Sequence, residues 1–233
     1  NSETGMNFVY LMDGANIKSR YVLNFVTAGT WQVAGNGDFN GDGIGDVMWR
    51  NIERGDTWFY LMDEGRIGSS EPSQWVTDLN YKVAATGDID GDGDEDVIWR
   101  RTNTGRIYVW LMEGGKIASQ YSLIIVNTDW EIAGTGDLDG DGTADIILRN
   151  QVDGRNWAYI MKEGQISTST LINEVADLNW QIGNIGDYDG DGKADFLWRN
   201  ETASRNIIHL MDGTAVKSRG VLRPTDNSWQ VAK

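Results

Sequence analysis

One phrase of five residues returns throughout the chain and constrains its fold more than any other feature. Trp31-Gln-Val-Ala-Gly reappears as Tyr81-Lys-Val-Ala-Ala, Trp130-Glu-Ile-Ala-Gly, Trp180-Gln-Ile-Gly-Asn and Trp229-Gln-Val-Ala-Lys, at intervals of 50, 49, 50 and 49 residues. A second marker keeps the same period: Leu11-Met12, Leu61-Met62, Leu111-Met112, Ile160-Met161 and Leu210-Met211. A third, the acidic loop that opens Gly37-Asp-Phe-Asn-Gly-Asp-Gly, recurs from Gly87, Gly136 and Gly186. A fixed period near 50 residues means one supersecondary unit, copied about five times, that buries its apolar faces only against its neighbours.

Each unit reads as strand. Apolar, β-branched and aromatic residues surround Val33, run over Asp46-Val-Met-Trp-Arg50 and Thr57-Trp-Phe-Tyr-Leu-Met62, and end in a weaker segment, Arg66-Ile-Gly-Ser-Ser70. Turn chemistry separates them: the acidic loop, then Glu53-Arg-Gly-Asp56, then Asp63-Glu-Gly65. Four short antiparallel strands per unit is the arithmetic of a β-propeller blade, whereas the coils of a β-solenoid are shorter. The expectation is an all-β propeller of about five four-stranded blades, one domain over residues 1–233. Asn1 stands where a blade's second strand has just ended, and Lys233 falls just before a fifth acidic loop would begin. The N-terminal strands and Trp229–Lys233 are therefore expected to share a blade. That blade either closes a five-bladed ring or belongs to a longer propeller with further domains in its parent chain.

The four acidic loops carry oxygen side chains at positions 1, 3, 5 and 9, and Gly at position 6. The first supplies Asp38, Asn40, Asp42 and Asp46; the second supplies Asp88, Asp90, Asp92 and Asp96. The third has Asp137, Asp139, Asp141 and Asp145, and the fourth Asp187, Asp189, Asp191 and Asp195. Alternate residues of a tight loop point inward, so positions 1, 3 and 5 can converge on one ion and position 9 can close the shell. Position 7 (Ile44, Asp94, Thr143 and Lys193) offers a backbone carbonyl. Six or seven hard oxygens with several charges suit Ca2+, whereas Mg2+ takes fewer protein ligands. One such loop would read as a solvated Asx-turn; four in the same phase of a repeat read as metal sites. An EF-hand needs Glu at position 12, where Trp49, Trp99, Leu148 and Trp198 stand instead. About four Ca2+ ions, one per loop, are expected.

Charge agrees. Against 20 Lys+Arg stand 35 Asp+Glu, a net charge of −15, and the side-chain ligand positions alone hold fifteen carboxylates. Without metal, these groups repel one another or take up protons. The balance excludes nucleic acid and anionic membrane surfaces as partners, and no apolar run approaches the roughly 18 residues of a membrane span. With no cysteine, disulfides, thiolate metal sites and Cys nucleophiles are excluded together.

From Trp31-Gln-Val-Ala-Gly through the acidic loop to Asp-Val-Met-Trp-Arg50-Asn and Tyr-Leu-Met-Asp-Glu-Gly65, the unit resembles the FG-GAP or VCBS-type repeat. The resemblance covers essentially the whole chain. Integrin α-subunit propellers and a fungal N-acetylglucosamine-binding lectin carry similar calcium loops. It implies a β-propeller with calcium between the first two strands of each blade. The family is mostly seven-bladed and serves adhesion, lectin-like binding or accessory roles beside secreted enzymes, so membership does not name the ligand.

Two further columns recur. Tyr10, Tyr60, Trp110, Tyr159 and His209 precede each repeat Met by two residues; Phe8, Trp58, Tyr108, Trp157 and Ile207 precede it by four. By strand alternation both columns share a face with the Met. Such rings either fill the space between blades or stack on sugars, and Tyr60, Trp110 and Tyr159 are the candidates for the second role. Arg50, Arg100, Arg149 and Arg199 either pair with loop carboxylates or bind an acidic ligand at a blade edge. Catalysis has little to stand on: His209 is the single histidine, in a slot otherwise held by Tyr or Trp, and no triad can be completed. No catalytic residue is assigned. The expected function is a calcium-binding, non-catalytic propeller, secreted or at the cell surface, that binds a glycan or polysaccharide. A calcium-dependent polysaccharide-degrading propeller and a structural or protein-binding spacer are the alternatives.

Overall fold

The computed structural model describes residues 4–14, 16–26 and 29–225, and all their regular structure is β. A two-stranded sheet pairs β1 (Phe8–Asp13) with β2 (Asn16–Val22). Four four-stranded meanders follow. The first is β3 (Trp31–Gly37), β4 (Asp46–Asn51), β5 (Thr57–Asp63) and β6 (Arg66–Pro72). The second is β7 (Tyr81–Gly87), β8 (Asp96–Arg101), β9 (Arg106–Glu113) and β10 (Lys116–Ile125). The third is β11 (Trp130–Gly136), β12 (Asp145–Asn150), β13 (Arg155–Lys162) and β14 (Gln165–Glu174). The fourth is β15 (Trp180–Gly186), β16 (Asp195–Asn200), β17 (Arg205–Asp212) and β18 (Ala215–Val221). The propeller thus has four complete blades among the described residues rather than five, and β1–β2 is the second half of another. Trp229–Lys233, expected to share that blade, lies outside the described residues. By their contacts the residues fall into two compact units: residues up to 86 with 93–103 and 107–122, and residues 87–92 and 104–106 with the chain from 123 onward.

The second strand of each blade is buried on both faces, which is why Val47-Met-Trp and its counterparts read as unbroken apolar runs. In the first unit Phe39, Met48 and Phe59 of one blade pack against Val97, Trp99, Trp110 and Met112 of the next. The second unit repeats the arrangement, with Leu138, Ile147 and Ala158 against Phe196, Trp198 and Met211. Burying each Phe or Met side chain contributes about 1.5–3 kcal/mol, so these sheet-to-sheet cores dominate stability. The residue at loop position 2 belongs to the same cores in two loops (Phe39 and Leu138), which fastens the first and third acidic loops to their blades, whereas Tyr188 in the fourth is exposed.

The turn after the third strand is tight, with Glu64 at φ 45° and Gly65 at φ 83°, and Glu163 at φ 50° and Gly164 at φ 72°. Two consecutive left-handed residues match the twist of a hairpin. Just beyond this turn the fourth strand bulges opposite the Leu-Met marker. Leu61 pairs with Ser69 and Met62 with Ile67, leaving Gly68 unpaired; Ser167 and Lys217 occupy the same slot in the third and fourth blades. A bulge re-aims the extra residue's side chain.

Candidate functional site

Each acidic loop is wound around its first and last carboxylates. In the third loop Asp137 accepts from Gly140 N at 2.6 Å and Gly142 N at 2.8 Å, and Asp141 accepts from Thr143 N at 2.9 Å. Asp145, fully buried, accepts from Leu138 N through Oδ2 and from Met161 N through Oδ1, both at 2.9 Å. The fourth loop repeats these bonds at Asp187, Asp191 and Asp195. Loop positions 1, 3 and 9 are thereby brought together. Asp137, Asp139 and Asp145 place one oxygen each within 4.8 Å of one another, as do Asp187, Asp189 and Asp195. The fifth-position carboxylates lie outside these trios and brace the N–H of position 7 instead. In the second unit's part of the second loop, Asp88 accepts from Gly91 N at 2.6 Å, and Asp90 Oδ1 is buried without a hydrogen-bond partner. In the first unit's part, Asp96 is fully buried against Met112 N, and Asp94 accepts from Gly114 N. The first loop has an amide at position 3, and Asn40 Nδ2 donates to Asp42 at 3.1 Å.

These carboxylates are held where charge is costly. Burial pushes Asp145 up to about 7 and Asp46 up to about 6, against the opposing pull of the two backbone N–H groups each accepts. Burial and then the neighbouring Asp141 raise Asp139; burial and then Asp92 raise Asp90. An orphaned buried carboxylate oxygen and converging trios of hard oxygens fit a divalent cation, which would neutralise them. The fourth loop differs. Lys217 Nζ lies 3.1 Å from Asp189 Oδ2 and 2.9 Å from Asp191 Oδ2, and Lys193 Nζ lies 2.5 Å from Asp212 Oδ1. The hydrogen bond from Lys217 holds Asp191 below the usual carboxylate range.

A second feature repeats from blade to blade. Phe25, Val26, Trp31, Trp49, Trp58 and Tyr60 line a cavity of about 200 Å3. Tyr81, Trp99, Tyr108 and Trp110, with Trp75 and Gln120, line another of about 250 Å3. Val126, Trp130, Leu148, Trp157, Tyr159 and Ser169 line a third of about 210 Å3. In the second and third, two half-buried rings meet edge to face: Tyr81 with Tyr108 at 6.3 Å and 70°, Trp130 with Trp157 at 6.2 Å and 80°. The indole N–H groups of Trp58 and Trp157 donate to Ser70 and Ser169. The fourth blade has Ile207 and His209 in the third-strand positions.

A family model described as FG-GAP-like repeat matches residues 38–99, 88–148 and 137–198. The chain belongs to the FG-GAP-like repeat family. Among solved structures, an auxiliary nutrient binding protein from Bacteroides thetaiotaomicron shares the fold with a TM-score of 0.52 and 10% identity, over 89% of this chain and 53% of that one. A protein of unknown function from Bacteroides caccae aligns with a TM-score of 0.48 and 11% identity, over 93% of this chain and 73% of that one. A chain of a nidogen/laminin complex aligns with a TM-score of 0.44 and 11% identity, over 93% and 90%. No functionally curated protein matches the sequence significantly. Among the described residues no helix is long and apolar enough to cross a membrane.

Within the FG-GAP-like units, three arginines of the column reach backbone carbonyls that follow the fourth strand. Arg50 donates to Val76 O and Arg149 to Val175 O, each at 3.1 Å, and Arg199 to Thr225 O at 3.0 Å. Arg50 also lies 4.7 Å over the Trp99 ring, and Arg149 5.0 Å over Trp198, so both serve blade packing. Arg100 is likewise buried. Tyr60, Trp110 and Tyr159 form the buried walls of the cavities, and the rings open to them are Trp31, Trp58, Tyr81, Tyr108, Trp130 and Trp157. The first-strand aromatics were visible as the repeat marker. Nothing in their spacing said that they would face Trp58 and its counterparts across a cavity.

Proposed function

We propose that this propeller is a calcium-stabilised, non-catalytic glycan-binding module, working outside the cell where calcium is abundant. The observation that carries the glycan assignment is the recurrence of one aromatic-walled cavity in three successive blades. A half-buried indole or phenol offers its face to the C–H surface of a pyranose, while Ser70, Gln120 and Ser169 supply hydroxyl or amide partners. At about 200 Å3 each cavity falls below the roughly 300 Å3 of common ligand pockets and suits one sugar ring rather than a chain. Weak sites repeated on one chain suit multivalent attachment to a polysaccharide. Calcium is favoured because trios spanning up to 4.8 Å match oxygens on opposite sides of an ion with bonds of about 2.4 Å.

Glycan-array binding with wild type, Trp58→Ala and Trp157→Ala tests the ligand. Each substitution is expected to weaken binding roughly tenfold through lost stacking. An array without any sugar bound, or binding indifferent to both changes, rejects the glycan reading. Melting curves with EDTA and with Ca2+ test the metal, which should raise the midpoint.

A further inference from the structure

The four acidic loops share a design but not an electrostatic state. The third loop's Asp137, Asp139, Asp141 and Asp145 form no ion pair among the described residues, so the converging trio Asp137, Asp139 and Asp145 has only backbone donors as partners. In the fourth loop an ammonium already stands there. Lys217 reaches Asp189 and Asp191 together, at 3.1 and 2.9 Å, bridging two carboxylates on the exposed side of the loop.

The bulge in β18 explains why this lysine arrives. Leu210 pairs with Ser218 and Met211 with Val216, so Lys217 is the unpaired residue, and its side chain is turned toward the loop of its own blade. The same slot holds Gly68 and Ser167 in the first and third blades, neither of which carries charge. Lys193, at loop position 7, is drawn off to Asp212 at the end of β17, which ties the loop to its own sheet. The fourth loop therefore has Lys193 of its own and meets Lys217 from β18, where the third loop has Thr143 at position 7.

We propose that Lys217 is a resident counter-cation of the fourth loop, holding it closed without metal and making its Ca2+ binding weaker than that of the third loop. The inference rests on the calcium reading of these loops. A divalent ion on Asp187, Asp189 and Asp195 would sit beside the ammonium, and two like charges cannot share the site at that distance. Calcium must displace Lys217 into solvent, where a lysine is readily hydrated. The chain then has graded calcium sites: a third loop that needs metal to relieve its repulsion, and a fourth that is formed without it.

Terbium titration of the chelated full-length chain, in wild type and Lys217→Met, is the test. Tyr188 is the one phenol at loop position 2, so the emission lost in Tyr188→Phe reports the fourth loop. In wild type that component should saturate at roughly tenfold higher Tb3+ than the remainder, and Lys217→Met should close the gap to within roughly threefold. Melting gives a second readout: Lys217→Met should melt below wild type in EDTA and recover that loss in Ca2+. An unshifted Tyr188-dependent component, or an equal melting loss with and without Ca2+, overturns the proposal and leaves the calcium reading intact. Absence of metal-dependent emission from every loop, together with no bound Ca2+ in native mass spectra, overturns the calcium reading and this proposal with it.

Discussion

The backbone N–H of Met161 donates to Asp145 Oδ1 at 2.9 Å, joining the third-strand marker to the last residue of the acidic loop. Met62 and Asp46, Met112 and Asp96, and Met211 and Asp195 repeat the bond at 2.7, 2.9 and 2.7 Å, always 16 residues apart. The ninth loop residue is thus part of the sheet as well as part of the oxygen cluster. A metal bound there would be felt by the blade core directly.

Asp145→Asn should therefore destabilise the protein even in EDTA. One amide position becomes a donor facing a backbone N–H, at a cost of about 1–3 kcal/mol. Urea denaturation measures it. A change within about 0.5 kcal/mol of wild type would mean the carboxylate matters only to metal.

His209 contributes stability that is lost on mild acidification, opposite in sign to Asp145 and Asp46, whose raised carboxyls take up protons in the folded protein first. Burial, and then the charge of Arg219 across the strand pair, push its imidazole down to about 4, and Nδ1 has no hydrogen-bond partner. Between about pH 6.5 and 4 the unfolded chain binds a proton that the folded protein refuses, so stability present above that window is lost as pH drops through it. The loss is on the order of 3 kcal/mol. His209→Tyr, the residue found at positions 60 and 159, should remove this contribution, so that the variant gains stability relative to wild type as pH falls from about 6.5 to 4. An unchanged slope would assign the acid sensitivity elsewhere.

Arg149→Lys should cost more than Arg50→Lys. Arg149 donates to Gly154 O, Asn156 Oδ1 and Val175 O, whereas Arg50 has Thr57 in place of Asn156 and leaves Nη1 without a partner. Lysine cannot reproduce the planar fork, so the expected losses are about 3 kcal/mol and about 1 kcal/mol. Chemical denaturation of the two variants checks the order. Equal losses would show that stacking on Trp198 and Trp99, rather than hydrogen bonding, sets the contribution.

Two left-handed glycines should respond differently to alanine. At Gly154 (φ +78°) a Cβ would meet Val175 O at 2.2 Å, while at Gly142 (φ +91°) it meets open space. Gly154→Ala is expected to cost more than about 3 kcal/mol and Gly142→Ala about 1–2 kcal/mol. Thermal melts of both variants would show it.

The repeat, the strand content and the acidic loops were legible in the sequence alone, because these rest on local chemistry: turn residues, alternation and spacing within a unit. The sequence also indicated that Asp145 and its counterparts belong with the loops, since each follows the first acidic residue of its loop by only eight residues. Tertiary structure decided the rest. Whether Trp58 faces a cavity while Tyr60 is buried depends on how neighbouring strands and loops cover a shared sheet face, which strand alternation does not encode. Arg149 finds a carbonyl 26 residues away because β14 returns beside it. Lys217 reaches Asp189 because a bulge turns it there, and a bulge is a property of paired strands rather than of either strand alone.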